Sequence, residues 1–346
     1  MNIKIAYIIP SLKNQGPIIV VRDIILGLLE RVSCIDVYYF DEEIELDFPC
    51  KTHKISIFEK IDFDKYDIIH SHMLRPDFYV WYHRTKNHKS KFVSTLHQII
   101  YDNLKGNYNN LIAFIFEKIW MILLSKQDYI VYLSQSMANT YKNKIKQKSV
   151  IIYNGRNISK EAISEIVEEH NELLRLKEKF KIVGTHCLLT KRKGINQSIL
   201  ALKQLPDYFL IVVGDGMEMQ NLKNFAKSEG VHDRCLFLGY KKNSISYLKY
   251  FDIYLATSYS EGFSLSVIEA GECKLPIVCS NIESFKESYS ENEVVFYTID
   301  NIDSLVCAIR NAYKNKEIYS VNIFNKITTK YSVENMSNKY LELYKK

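Results

Sequence analysis

Residues 251–280, FDIYLATSYSEGFSLSVIEAGECKLPIVCS, constrain the fold of this chain more than any other stretch. A short apolar run, Ile253 to Leu255, meets a polar loop from Ser258 to Gly262. A helical pattern follows, with Leu265, Ile268 and Glu269 on successive turns, and LPIVCS then gives a second buried strand. Strand, loop, helix, strand is the order of a parallel sheet, whose ligands gather where strands end and helices begin. Two carboxylates flank the helix start, Glu261 in the loop and Glu269 on the helix. The N–H groups of Phe263, Ser264 and Leu265 are candidates for a preformed anion site beside them. Phosphate and polyol recognition in one crevice is the chemistry of a sugar nucleotide. The plainer alternative is a solvated Glu269, or a Ser266/Glu269 capping box.

The rest of the chain repeats this alternation. IKIAYII (3–9), IDVYYF (35–40), YDIIHSH (66–72), KFVSTLH (91–97), IVYLS (130–134) and SVIIYNG (149–155) read as strands, with an amphipathic helix over 16–32. Residues 159–181 are charged, helical in pattern and placed to join two domains. KIVGTHCLL (181–189), YFLIVVGDG (208–216) and RCLFLGY (234–240) supply strands of a second half, and 331–346 a closing helix. At 346 residues there is room for two cores. The expected class is α/β, two doubly wound Rossmann-like units facing a central cleft. The first is 1–163, the second 164–330.

Seven scattered cysteines without C-x-x-C or a histidine cluster argue against disulfides or zinc, and for a reducing compartment. The N-terminus reads as a first buried strand and not a leader. Residues 1–50 carry 4 basic and 8 acidic side chains, 51–160 carry 18 and 8, and 161–346 carry 24 of each. No helix-turn-helix, zinc-finger or RNP pattern accompanies the basic stretch, so nucleic acid is not the expected partner. An anionic membrane or a lipid diphosphate fits better, with a merely solvated basic face as the alternative. NLIAFIFEKIWMILLSK (110–126) is strongly apolar but too short and too charged to span a bilayer. It reads as a packed core helix ahead of an interfacial one. LIVVGDGMEMQNLK fails as a dinucleotide fingerprint because the third glycine position is Met219, which argues against a Rossmann dehydrogenase. Gly214 and Gly216 read as structural, and Asp215 as the cap of the following helix.

EGFSLSVIEAGECKLPIV closely resembles the Glu-x7-Glu signature of family-four retaining glycosyltransferases, enzymes of the GT-B fold. LTKRKGINQSI (189–199) resembles the same family's lysine motif. The resemblance is strong from 181 to 290 and looser from 1 to 160, and it implies that the closing helix 331–346 crosses back to pack on the first unit. It implies that Glu261 orients the donor sugar, that Phe263, Ser264 and Leu265 present amides to the phosphates, that Gly262 lies in the donor site beside them, and that Glu269 holds the ribose. Lys193 would neutralise the departing diphosphate, Gly239 and Tyr240 would contact the base, and Gly16 would sit by the donor phosphate or the acceptor. His97, at a strand end, would support the transition state. The family's arginine falls on Cys187 or Leu188, and Arg192 is the expected substitute. The implied activity is metal-independent retaining transfer, without cofactor, from a nucleotide sugar to a glycan or lipid-linked oligosaccharide. A UDP-sugar is expected ahead of a GDP-sugar. The implied setting is surface-polysaccharide or lipopolysaccharide assembly in the cytoplasm, at the inner face of the membrane. A nucleotide-sugar 2-epimerase and a non-catalytic sugar-nucleotide-binding protein are the alternatives.

Overall fold

The computed structural model describes residues 2–105 and 109–346. The chain divides into two compact units, Met1–Arg156 with Tyr331–Lys346, and Asn157–Lys330. The first unit ends at Arg156, ahead of the expected 163. Arg156 pairs with buried Asp23 in that unit (2.8 Å), whereas the Ile158 N–H already donates to Glu272 in the other (2.9 Å).

The first unit is built on seven parallel strands in the order β3-β2-β1-β4-β5-β6-β7. They are β1 (Lys4–Ile9), β2 (Cys34–Tyr39), β3 (Lys51–Lys54), β4 (Ile68–His72), β5 (Lys91–Leu96), β6 (Tyr129–Tyr132) and β7 (Lys148–Ile151). β1 is buried after its first residue, because helices cover both faces of a parallel sheet. β3 (KTHK) was not foreseen: all four residues are exposed, so an edge strand with no apolar pattern left no signal. The closing helix, Val333–Lys345, packs on the first helix, Gly16–Leu28, within this unit.

The second unit has six parallel strands in the order β10-β9-β8-β11-β12-β13. They are β8 (Lys181–His186), β9 (Tyr208–Val213), β10 (Cys235–Gly239), β11 (Ile253–Ala256), β12 (Ile277–Ser280) and β13 (Val295–Tyr297). All six residues of β9 are buried. Its core runs through Leu210, Val212, Ile199, Leu255 and Ile309.

The helix Asn110–Leu124 departs from the core reading. It buries Ala113, Glu117, Trp120, Leu123 and Leu124 but leaves the opposite apolar face exposed. No helix among the described residues is long and apolar enough to cross a membrane.

Candidate active site

Parallel sheets bind ligands beyond the carboxyl ends of their strands, where the strand order reverses. In the second unit that point lies between β8 and β11. The loop leaving β8 ends in a single turn, Lys191–Lys193, and then Gly194 at φ 60°. A Cβ at Gly194 would lie 2.2 Å from the Thr257 carbonyl oxygen, so glycine is what lets this loop touch the one leaving β11. Thr257 Oγ1 donates to the Lys193 carbonyl (3.0 Å), and Gln197 Nε2 donates to the Thr257 carbonyl (3.0 Å).

This contact brings Arg192 and Lys193 onto Glu261. Lys193 Nζ lies 2.7 Å from Glu261 Oε1, and Arg192 Nη1 lies 2.9 Å from Oε2. Ser258 Oγ donates to Oε1 (2.7 Å), and Arg192 also donates to the Ser260 carbonyl. Glu261 is only 9% exposed. Burial pushes its carboxyl up, but Arg192 and Lys193 more than reverse this and hold it at about 2. Two cations against one carboxylate leave a positive cluster at the strand ends, suited to an anion.

Glu269 sits on the helix Leu265–Glu272 and meets a partner that the sequence did not suggest. His186 Nε2 lies 2.7 Å from Glu269 Oε2, and both residues are buried. His186 Nδ1 is buried without a hydrogen-bond partner. The available signal was a histidine as the last residue of a strand. Ser264 is the N-cap of this helix but makes no side-chain cap; its hydroxyl lies 3.0 Å from that of Ser266. Ser266 lies inside the helix and Glu269 meets His186, so the Ser266/Glu269 capping box is not formed, and the helix start carries no cap from the Ser264 side chain. Thr185, Cys187, Lys193, Tyr254, Ser264 and Ser266 line one small pocket here.

Leu188, where the family's arginine falls, is 66% exposed. The Cys187 thiol is pushed up by burial. Gly239 ends β10, and its carbonyl accepts from the Gly214 N–H (2.8 Å); Tyr240, just beyond, is exposed. A Cβ on Gly214, at φ 130°, would lie 2.0 Å from the Cys187 carbonyl, so this turn fits closely under the β8 loop. Asp215, expected to cap the next helix, instead accepts from the Gly216 N–H (2.7 Å). The helix Met219–Ser228 starts from Glu218 without a side-chain cap. The aspartate closes on its own turn, as short carboxylate side chains do.

His97 and Gly16 belong to the first unit. Gly16 opens the helix Gly16–Leu28 and is exposed. His97 follows β5, and its Nε2 lies 2.8 Å from His72 Nδ1. His72 Nε2 is buried without a partner. His70, on the same face of β4, lies 2.7 Å from the Tyr344 hydroxyl and 2.8 Å from that of Thr95. Burial pushes all three histidines down, His97 to about 3, so they are neutral at physiological pH. His-Ser-His on β4 places the His70 and His72 imidazoles on one face, whereas the approach of His97 depends on β5 lying beside β4. Among the described residues, no three His, Cys, Asp or Glu side chains converge as a metal-binding group.

A family model described as glycosyl transferases group 1 matches residues 141–327, and one for glycosyltransferase family 4 matches residues 39–160. The chain belongs to the group 1 glycosyl transferases. Among its relatives is the O-antigen biosynthesis glycosyltransferase WclY of Escherichia coli, 28% identical, with 99% of this chain and 98% of WclY covered. A second is the N-acetylgalactosamine-N,N'-diacetylbacillosaminyl-diphospho-undecaprenol 4-alpha-N-acetylgalactosaminyltransferase of Campylobacter jejuni. It is 26% identical over 73% of this chain and 71% of its own length. Among solved structures, Anabaena HepE, in complex with UDP and glucose, superposes with a TM-score of 0.82 at 18% identity, covering 99% of this chain and all of HepE. This glycosyl transferase has the two-domain α/β GT-B fold.

Proposed function

We propose that this glycosyl transferase moves a sugar, with its anomeric configuration kept and without a metal, from a nucleotide sugar to a lipid-linked saccharide in surface-polysaccharide assembly. The observation that carries the donor half is the Arg192–Glu261–Lys193 cluster beside an uncapped helix start. A nucleoside diphosphate needs fixed positive charge as the bond to the sugar breaks, and preformed cations and amides supply it without reorganisation. When donor enters, its diphosphate takes Lys193 and Arg192 from Glu261. The freed carboxylate then accepts from the sugar hydroxyls. Glu269, held by His186, accepts from the ribose. The acceptor oxygen bonds to the anomeric carbon on the face from which the phosphate oxygen leaves. The acceptor proton passes to that phosphate oxygen, and the nucleoside diphosphate departs. His97, neutral and hydrogen-bonded to His72 in the first unit, can donate or accept a hydrogen bond but not supply a full proton.

The acceptor half is supported by the relatives named for O-antigen biosynthesis and for a diphospho-undecaprenol-linked saccharide. Work at the cytoplasmic face of a membrane follows from such an acceptor. The test is thermal stabilisation by a panel of UDP- and GDP-sugars with a chelator present, for wild type and Glu269→Ala. Ligand at about 100 times its Kd adds about 2.7 kcal/mol. A shift for one nucleotide family, lost in the variant, is expected. No shift with any nucleotide sugar overturns the donor site, and an inverted anomer in the product overturns retention.

A further inference from the structure

The helix Asn110–Leu124 presents apolar side chains that nothing in the described chain covers. Leu111 is 68% exposed and Ile122 59%; Phe114, Ile115 and Ile119 lie exposed between them. At 100° per residue, Leu111, Ile115, Ile119 and Ile122 form one stripe along the helix, about 16 Å long. The opposite side is anchored: Trp120 Nε1 donates to buried Asp77 (2.7 Å), and Glu117 pairs with Lys144 (3.3 Å). A helix apolar on both sides is ordinarily buried on both. A contiguous uncovered stripe of this kind marks an interaction site.

The charge around the stripe selects the partner. Residues 101–150 contain seven lysines and three acids, Asp102, Glu117 and Asp128. Glu117 is buried against Lys144, and Asp128 pairs with Arg84 (2.7 Å). Outward-facing charge is therefore dominated by lysine. Lys118 lies beside the stripe, with its Nζ 5.2 Å from the Phe114 ring centre, and Lys142, Lys146 and Lys148 are exposed on the segment tied to the helix through Lys144. A second copy docking here by two-fold symmetry would set lysines against lysines. A bilayer with anionic headgroups accepts both features: the aliphatic row enters the acyl boundary and the ammonium groups stay at the phosphates.

We propose that the 110–124 helix is a membrane-docking surface for an anionic bilayer, lying in the interface plane. It deepens, and rests on, the reading of a lipid-linked acceptor, because docking would hold the enzyme on the surface that carries such a substrate.

The experiment is co-sedimentation of the full chain with phosphatidylethanolamine–phosphatidylglycerol vesicles at low salt, without donor or acceptor. Wild type is expected to bind and to be released by salt. Ile115→Glu/Ile119→Glu is expected to lower the partition coefficient at least about tenfold. Lys142→Gln/Lys146→Gln/Lys148→Gln is expected to weaken binding and flatten its salt dependence. Unchanged circular dichroism and an unchanged nucleotide-sugar thermal shift show that both variants are folded. Wild type ignoring the vesicles, or the Ile variant binding as wild type does, overturns the proposal. So does a dimer in sedimentation that the Ile variant abolishes without any vesicle binding. Vesicle binding with no transfer to a detergent-dispersed lipid-linked acceptor leaves the surface standing and fails the acceptor reading alone.

Discussion

His186 and Glu269 meet at 2.7 Å with both side chains buried, so the direction of the carboxylate depends on the imidazole. Replacing His186 by Ala removes a buried hydrogen bond to a charged group, worth about 1.5–3 kcal/mol. Because Glu269 is proposed to act in binding, the expected result is a rise of about tenfold or more in donor KM with kcat little changed. His186→Gln, which can still donate, should recover part of it. A fall in kcat at unchanged KM would remove His186 from donor positioning. Glu261 links the site to acid stability. Its carboxyl is held at about 2, below the ordinary 4.5, because Arg192 and Lys193 outweigh its burial. A depressed carboxylate contributes its stability above the unfolded value and loses it as pH falls through the folded one. The window therefore runs from about 4.5 down to about 2, with on the order of 3 kcal/mol at stake. Urea unfolding of wild type should weaken across that range, and Glu261→Gln should show a shallower dependence. Parallel pH slopes for the two proteins would refute the assignment.

Among the elements, the helix Val333–Lys345 belongs with the far end of the chain. Ser332 caps its start, accepting from the Asn335 N–H (3.2 Å). It buries Met336, Tyr340, Leu341, Leu343 and Tyr344, and the Tyr344 hydroxyl lies 2.9 Å from that of Tyr7 as well as against His70. Gly27 permits the close approach: a Cβ there would lie 2.4 Å from Ser337 Oγ. Five buried side chains at about 1.5–3 kcal/mol each approach the whole stability of a typical domain. Ending the chain at 332 should therefore unfold the first unit while leaving the second protected in limited proteolysis. A truncated protein with wild-type protection over 1–156 would show that the helix is dispensable. Most elements could be read in advance, since buried parallel strands are written as apolar runs such as YFLIVV and helices as period-3.6 patterns. Those that could not are short or exposed. KTHK forms β3 through its backbone alone, and charged residues 159–181 break into two helices, Lys160–Ser164 and His170–Lys179.

For the molecule as a whole, local pattern determined the alternation of strands and helices, the two-unit organisation, the loops that carry Lys193 and Glu261 and the helix that carries Glu269. Those features depend on periodicity, on glycine placement and on a family signature, all of which lie within short stretches of chain. What tertiary structure alone decided are the partners. Lys193 and Glu261 are 68 residues apart, His186 and Glu269 are 83 apart, and His70 and Tyr344 are 274 apart. Each pairing follows from which strands lie side by side and from how tightly the intervening loops and helices close, and no window of sequence contains that information. The same holds for the 110–124 helix. Its composition is apolar on every side, and only packing on Asp77 and Lys144 fixed which side is covered and which side faces out.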